Sequence, residues 1–292
     1  MNIGIIGTGL MGLPLAQRLL AASYPLTAYN RTPEKLATLQ AAGATIAPSP
    51  DAVIAATDGV VLMLTDAAAI REMVLSDRSR AQLPGKTILQ MGTIAPSESR
   101  QLRDEIQAAG GEYLEAPVLG SIPEAKAGTL LVMVGSTPAQ FQQWLPVLQC
   151  FGTEPRWLGD VGTAAATKLA LNQLIGSLTT AFAMSLGFVQ QQGVEVESFM
   201  EILRQSALYA PTFDKKLQRM RDRQYAHPNF PTKHLLKDTN LFVQEAETMG
   251  VDTAVGKAVQ QILIRAVQDW ADADYSALYD TVNPRPTTPA DG

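Results

Sequence analysis

Two residues in the second half of the chain are spaced for acid catalysis. Lys168 and Asn172, in Thr163-Ala164-Ala165-Ala166-Thr167-Lys168-Leu169-Ala170-Leu171-Asn172, stand four apart, so on a helix they share a face one turn from each other. An ammonium with an amide to orient it can stabilise a nascent alkoxide and give it a proton. Burial would draw the amine pKa down toward working pH. The same spacing suits a lysine in the first turn of a buried helix that snorkels to the surface. Spacing alone leaves both roles open.

A second set of residues stands at the start of the chain. The apolar run Ile3-Gly4-Ile5-Ile6 leads into Gly7-Thr8-Gly9-Leu10-Met11-Gly12, followed by an amphipathic stretch with Leu15, Leu19 and Leu20. Gly7 permits a tight strand-to-helix turn, Gly9 lets backbone approach a pyrophosphate, and Gly12 lets helix and strand pack closely. The helix start turns its N–H groups to the phosphates. The ligand implied is a dinucleotide. After the second strand come Asn30, Arg31 and Thr32 where an acid that binds a ribose 2′-hydroxyl could stand. Arg31 can neutralise a 2′-phosphate, with small donors on either side, which points to NADP(H) rather than NAD(H).

The elements that must position these groups follow from pattern. Strand signals at Asn2–Ile6, Leu26–Tyr29, Gly59–Leu64, Thr87–Met91, Glu112–Glu115, Leu130–Val134 and Arg156–Leu158 alternate with helical stretches, the pattern of a parallel doubly wound α/β sheet. After Gly159-Asp160-Val161-Gly162 only helices are expected, with Leu171, Ile175, Leu178, Phe182, Leu186 and Val189 on one buried face of the first. A second buried row there holds Lys168, Asn172, Ile175 and Thr179. The expected plan is a Rossmann domain over residues 1–161, a long interdomain helix opening an all-α domain over 162–282, and a flexible tail over 283–292.

Composition narrows the partners. The chain has 292 residues, 17% of them charged and 46% hydrophobic, with a formal charge of −5. This describes an ordinary, mildly acidic globular protein and a poor partner for nucleic acid or anionic membrane. Cys150 is the one cysteine and His227 and His234 the two histidines, so neither an intrachain disulfide nor a histidine-rich metal site is expected. The uncharged run from Leu169 to Val194 is long enough to cross a bilayer, but its Asn, Gln, Ser and Thr residues and its lack of aromatic anchors fit a buried helix better. No secretory signal opens the chain, and a cytoplasmic location is expected.

Four separated motifs resemble the β-hydroxyacid dehydrogenase family, whose members are similar to 3-hydroxyisobutyrate dehydrogenase. They are the Gly7–Gly12 fingerprint, the loop Glu115-Ala116-Pro117-Val118-Leu119-Gly120-Ser121, the helix start from Gly162 to Asn172, and Lys237-Asp238. The continuation from Ile122 to Leu130 and the segment Asn229-Phe230-Pro231-Thr232-Lys233-His234 resemble the glyoxylate/succinic semialdehyde reductase branch. The resemblance implies Lys168 as catalytic lysine with Asn172 as its substrate-binding partner. It implies cofactor contacts from Met63, Leu64, Thr65, Thr93 and Lys237. Substrate contacts would come from Thr93, Leu119, Gly120, Ser121, Phe230 and Asp238. Homodimers or homotetramers built through the long helix are also implied.

The chain departs from the family pattern in that loop. Leu119 stands where a serine usually helps hold the substrate carboxylate, a change of about 1.5–3 kcal/mol for a bond to a charged group. The N–H groups of Gly120 and Ser121, with the Ser121 hydroxyl, are the remaining anion donors expected. The expected activity is NADPH-dependent reduction of small aldehyde or keto acids such as glyoxylate and succinic semialdehyde. Two alternatives stay open: a dehydrogenase oxidising a β-hydroxy acid of the 3-hydroxyisobutyrate type, and a noncatalytic binding protein on the same fold. An imine reductase is disfavoured by Lys168, since that branch replaces the lysine.

Overall fold

The computed structural model describes residues 1–284 of the 292, so most of the expected flexible tail lies outside the described residues. The chain divides into two compact units, Met1–Leu169 and a second that begins at Ala170. The expected boundary after residue 161 and this division differ because one helix carries the chain from the first unit into the second.

In the first unit β1 (Ile3–Ile6), α1 (Gly12–Ala21), β2 (Leu26–Tyr29), a 3₁₀ turn leading into α2 (Ala37–Ala41), β3 (Thr45–Ile46), α3 (Pro50–Ala56) and β4 (Gly59–Leu62) come first. Then follow α4 (Ala67–Val74), α5 (Asp77–Arg80), β5 (Thr87–Gln90), α6 (Pro96–Ala108), β6 (Glu112–Glu115), β7 (Val118–Leu119), α7 (Ile122–Ala127), β8 (Leu131–Gly135), α8 (Pro138–Leu148), β9 (Arg156–Gly159) and the start of α9 (Thr163–Gln191). The strand order is β3-β2-β1-β4-β5-β6-β8-β7, with β9 paired to β8. From β3 to β6 every pairing is parallel, and β9 is parallel to β8. β8 runs antiparallel to β6 and β7, a departure from the all-parallel expectation. The reason is local: Val118 and Leu119 pair with Val132 and Leu131, so α7 closes a hairpin, and a hairpin forces antiparallel pairing.

The apolar strands are runs rather than alternations because both sheet faces are covered. Ile3, Ile5, Val61, Leu89 and Leu114 enter one core with Leu15, Leu19, Trp144 and Phe151. Ile6, Val60, Leu62, Ile88 and Tyr113 enter the other with Val53, Ile54, Ile70, Leu102 and Ile106. Consecutive strand residues thus serve opposite layers.

The second unit is helical: the remainder of α9, then α10 (Val196–Gln205), α11 (Pro211–Asp222), α12 (Thr232–Thr248), α13 (Ala254–Trp270), a 3₁₀ turn and α14 (Leu278–Val282). Phe182, Ala183 and Leu186 of α9 pack with Met200, Phe213, Leu217 and Met220. Leu235 of α12 packs with Val259 and Leu263 of α13 and with Tyr275 and Leu278. On α9 the buried positions include Lys168, Asn172, Thr179, Thr180, Phe182 and Leu186, while Leu174, Leu178, Met184 and Phe188 are exposed. Leu178 was expected on the buried face. The expected polar row of Lys168, Asn172 and Thr179 is buried, as are Phe182 and Leu186 of the apolar row, so it is Leu178 that departs from the expected pattern. Among the described residues α9 is the helix long and apolar enough to cross a bilayer, and 44% of its most apolar window is buried inside the protein.

Candidate active site

The Gly7–Gly12 turn is built by backbone contact. Gly7 has φ +95° and its N–H donates to the Tyr29 carbonyl at 3.1 Å. A Cβ on Gly7 would collide with the Met63 carbonyl, and one on Gly12 with the carbonyl of Gly7. Around Gly9 there is open space, with nothing within 4 Å of a built Cβ. Helix α1 starts beside that space with no side-chain cap at Met11 and no acid in its first turn. By contrast α3, α4 and α8 are capped by Ser49, Asp66 and Thr137. A helix start left bare, facing open surface at a glycine, fits the pyrophosphate of a dinucleotide.

The neighbouring loops converge there. Asn30 Oδ1 accepts from Thr8 N at 3.0 Å and its Nδ2 donates to the Thr32 carbonyl at 2.9 Å, so Asn30 braces the turn after β2 against the glycine loop. Arg31 and Thr32 are left exposed. Met63 and Leu64 are half-buried and Thr65 exposed, just past β4. Past β5, the Gln90 side chain clasps Gly92, accepting from its N–H at 2.6 Å and donating to its carbonyl at 2.9 Å. Gly92 lies against the Leu64 carbonyl, which sets half-buried Thr93 beside the 63–65 segment. These groups all stand at the C-terminal ends of parallel strands, where open α/β sheets bind ligands.

Lys168 lies in the second turn of α9 and is 9% exposed. The start of this helix is filled. Glu115, 1% exposed at the end of β6, accepts on Oε1 from the N–H groups of Gly162, Ala164 and Ala165 at 2.7, 2.9 and 3.1 Å. Thr163 N donates to the Asp160 carbonyl at 3.1 Å, so no amide from Gly162 to Ala165 lacks an acceptor. The other carboxylate oxygen of Glu115 accepts from the Ser99 hydroxyl. Since Ser99 spends its proton there, the buried Tyr113 hydroxyl, 2.8 Å from Ser99 Oγ, is the donor of that pair. Burial pushes the Glu115 carboxyl upward, opposed by these donors.

In the second unit the structure joins Asn172, Asp238 and Lys237. Asn172 Nδ2 donates to Asp238 Oδ2 at 2.6 Å, and Lys237 Nζ lies 2.9 Å from Asp238 Oδ1. Asn172 and Asp238 are each 2% exposed, so this is an interior network rather than a surface charge pair. Asn172 Oδ1 is buried and has no hydrogen-bond partner. Phe230 packs its ring edge-on to Tyr275 with centroids 5.8 Å apart and lies 6.4 Å from the His234 ring. His234 shares a face of α12 with Lys237 and Asp238, and burial, with Lys237 beside it, holds its imidazole below the ordinary value. Sequence reasoning quoted His234 only within a motif. The i, i+3, i+4 spacing of His234, Lys237 and Asp238 was the signal that could have placed it in the site.

The 115–121 loop, expected to hold the substrate, is organised differently from that expectation. Leu119 is half-buried and Gly120 exposed. Ser121 N and Ser121 Oγ both donate to Glu124 Oε2, at 2.9 and 2.6 Å. A carboxylate of the protein thus occupies the two Ser121 donors that were assigned to the substrate. The pattern Ser-x-x-Glu is a capping box and was readable as one.

Fold and site together define a nicotinamide-nucleotide-dependent oxidoreductase. Residues 2–159 match the NAD-binding domain of 6-phosphogluconate dehydrogenase, and residues 162–282 match the NAD-binding family of NADP-dependent 3-hydroxyisobutyrate dehydrogenase. The chain is 30% identical over 285 residues to glyoxylate/succinic semialdehyde reductase 1 of Arabidopsis thaliana, covering 97% of this chain and 98% of that one. Its fold is shared by 3-hydroxyisobutyrate dehydrogenase of Mycobacterium tuberculosis, solved with L-serine, at a TM-score of 0.88 and 22% identity over 96% of this chain and 98% of that one. Psf3, solved with NADP+ and 2-OPP, shares it at a TM-score of 0.84 and 23% identity, covering 96% of this chain and 99% of that one. The chain belongs to the β-hydroxyacid dehydrogenase family of 3-hydroxyisobutyrate dehydrogenase-like, NAD(P)-dependent enzymes.

Proposed function

We propose that the protein is an NADP(H)-dependent reductase of small aldehyde or keto acids, with glyoxylate and succinic semialdehyde as first candidates, and that Lys168 is its proton donor. The observation that carries this reading is the setting of Lys168: buried one turn past a helix start locked by Glu115, and one turn before an amide locked by Asp238. The relative from Arabidopsis thaliana supports the substrate class by its name. Arg31, exposed beside the braced Asn30, supports selection of the 2′-phosphate.

When bound, the dihydronicotinamide supplies hydride. The open surface at Gly9 and the bare start of α1 hold the pyrophosphate, and Met63, Leu64, Thr65, Thr93 and Lys237 line the cofactor. Lys168 gives one proton to the oxygen of the reduced carbonyl, so the product is the hydroxy acid and the lysine leaves the step neutral. Its ammonium also opposes the charge that grows on that oxygen. Asp238 holds the Asn172 amide so that Oδ1 is the acceptor offered, and that orphan oxygen receives the hydroxyl of the hydroxy-acid product as it forms. The substrate carboxylate binds at the 119–121 turn, where it must share space with Glu124. The exposed Leu174, Leu178, Met184 and Phe188 of α9 are covered by a second copy of the chain, which light scattering would read as a dimer or tetramer.

The test is oxidation of NADPH and of NADH against glyoxylate, succinic semialdehyde, methylmalonate semialdehyde and tartronate semialdehyde, with the reverse reaction on 3-hydroxyisobutyrate. Higher kcat/KM for an aldehyde acid with NADPH supports the reading. Faster oxidation of the hydroxy acid would replace it with the dehydrogenase, and NADPH binding with no turnover on any carbonyl would leave a binding protein.

A further inference from the structure

The carboxylate of Glu115 touches three parts of the first unit that the proposed chemistry must hold in register. It ends β6, at the head of the 116–121 substrate loop. Through Ser99 it reaches the first turn of α6, which begins three residues after Thr93. Through Oε1 it holds the start of α9, three residues before Lys168. These bonds span 16 residues to Ser99 and 47 to 50 residues to the α9 amides, so they are tertiary pins rather than local turns. Gly135 of β8 leaves the room, since a Cβ there would run into the carboxylate.

A buried glutamate is a costly cap when a serine or aspartate at the helix start would do the same task for α9 alone. What Glu115 adds is reach: one rigid group satisfies the α9 amides, the α6 hydroxyl and, through it, Tyr113. We infer that Glu115 is a positioning residue for the proton donor: it sets the start of α9, and so the backbone of Lys168, against the Thr93 and 116–121 loops. The inference rests on Lys168 being the donor. From the pinned amide of Ala165 to Lys168 the helix rises only about 4.5 Å, so displacement at the cap is transmitted almost undamped. Misplacement of a reacting group by about 1 Å is enough for a loss near 100-fold.

Protonation is not needed to keep this geometry, because Oε1 accepts from amides in either state. Glutamine keeps that oxygen, and its Nε2 can donate to Ser99, whose proton then turns to Tyr113. Glu115→Ala is therefore expected to lower kcat about 100-fold with KM for NADPH within twofold, and Glu115→Gln to recover kcat to within about tenfold of the parent. Gly135→Ala, which displaces the carboxylate without removing it, should lower kcat with the same unchanged KM for NADPH, and it stands in if Glu115→Ala does not fold. Amide hydrogen exchange of the ligand-free proteins should quicken about tenfold or more at residues 162–165 in Glu115→Ala and Gly135→Ala, with the strands β1, β4 and β5 unchanged. Parental kcat in both variants, exchange that quickens uniformly, or a Glu115→Gln as slow as Glu115→Ala would each overturn the inference. Retained turnover in Lys168→Ala would instead remove the reading of the donor, and the exchange result would stand apart from it.

Discussion

The starts of α1 and α9 are the same physical object put to opposite uses. Each presents N–H groups without intrahelical acceptors and the positive end of a helix dipole. At α1 no side chain caps the turn, no acid stands in the first turn, and the surface at Gly9 is open. At α9 a carboxylate from β6 fills the position and is itself pinned by Ser99. The first arrangement leaves the helix start available to an anion, as the proposed cofactor pyrophosphate would supply. The second uses a permanent anion to fix the helix that carries Lys168. A helix start therefore signals a ligand only when the protein has not already supplied the acceptor.

That contrast can be broken most sharply by making α1 resemble α9. Gly9→Asp puts a carboxylate into the open space at the α1 start and should raise the Kd for NADPH by about 100-fold or more, with the Tm of the ligand-free protein unchanged or raised. Fluorescence titration with NADPH reads it, and binding at parental strength would show that the phosphates lie elsewhere. A smaller effect is expected at Arg31. Arg31→Ala should reduce the ratio of kcat/KM for NADPH to that for NADH by roughly 10- to 100-fold, chiefly through NADPH, as loss of a charge-assisted bond requires.

The filled capping box at Ser121 offers a third comparison. Glu124→Gln keeps an oxygen for the Ser121 donors but removes a like charge from the proposed carboxylate turn, so KM for glyoxylate should fall roughly fivefold, the worth of about 1 kcal/mol. An unchanged KM for glyoxylate would move the substrate carboxylate away from this loop. The smallest effect concerns pH. Because burial holds the His234 imidazole below its ordinary 6.5, its neutral form contributes stability that is fully present above that value, and only this contribution is lost as pH falls through it toward the folded-state value. His234→Gln should flatten the decline in Tm between pH 7 and pH 5 by about 1–2 °C, measured by thermal unfolding.

Local chemistry was the legible part of this protein. The Gly7–Gly12 turn, the run of parallel strands and the late helices follow from glycine placement and apolar periodicity, which act over a few residues. The short elements β3, β7 and α7 were not legible, since two to six residues carry too little pattern. The antiparallel β8 followed from one of them, the hairpin. On α9 the polar row of Lys168, Asn172 and Thr179 is interior as its spacing implied, and so are Phe182 and Leu186 of the apolar row, whereas Leu178, counted into that row, is exposed. Glu115 was read only as part of a loop motif. Its three amide bonds cross 47 to 50 residues, and no spacing rule reaches that far.

In the proposed mechanism the buried amine on α9 gives the proton while the bare start of α1 holds the cofactor, so the two functions must separate. Lys168→Ala, assayed for NADPH binding by fluorescence and for turnover with glyoxylate and succinic semialdehyde, tests this directly. Expected are a Kd for NADPH within about twofold of the parent and a kcat lower by roughly 100- to 10,000-fold, the usual range for a lost acid catalyst. A kcat near the parental value, with the cofactor still bound, would contradict it.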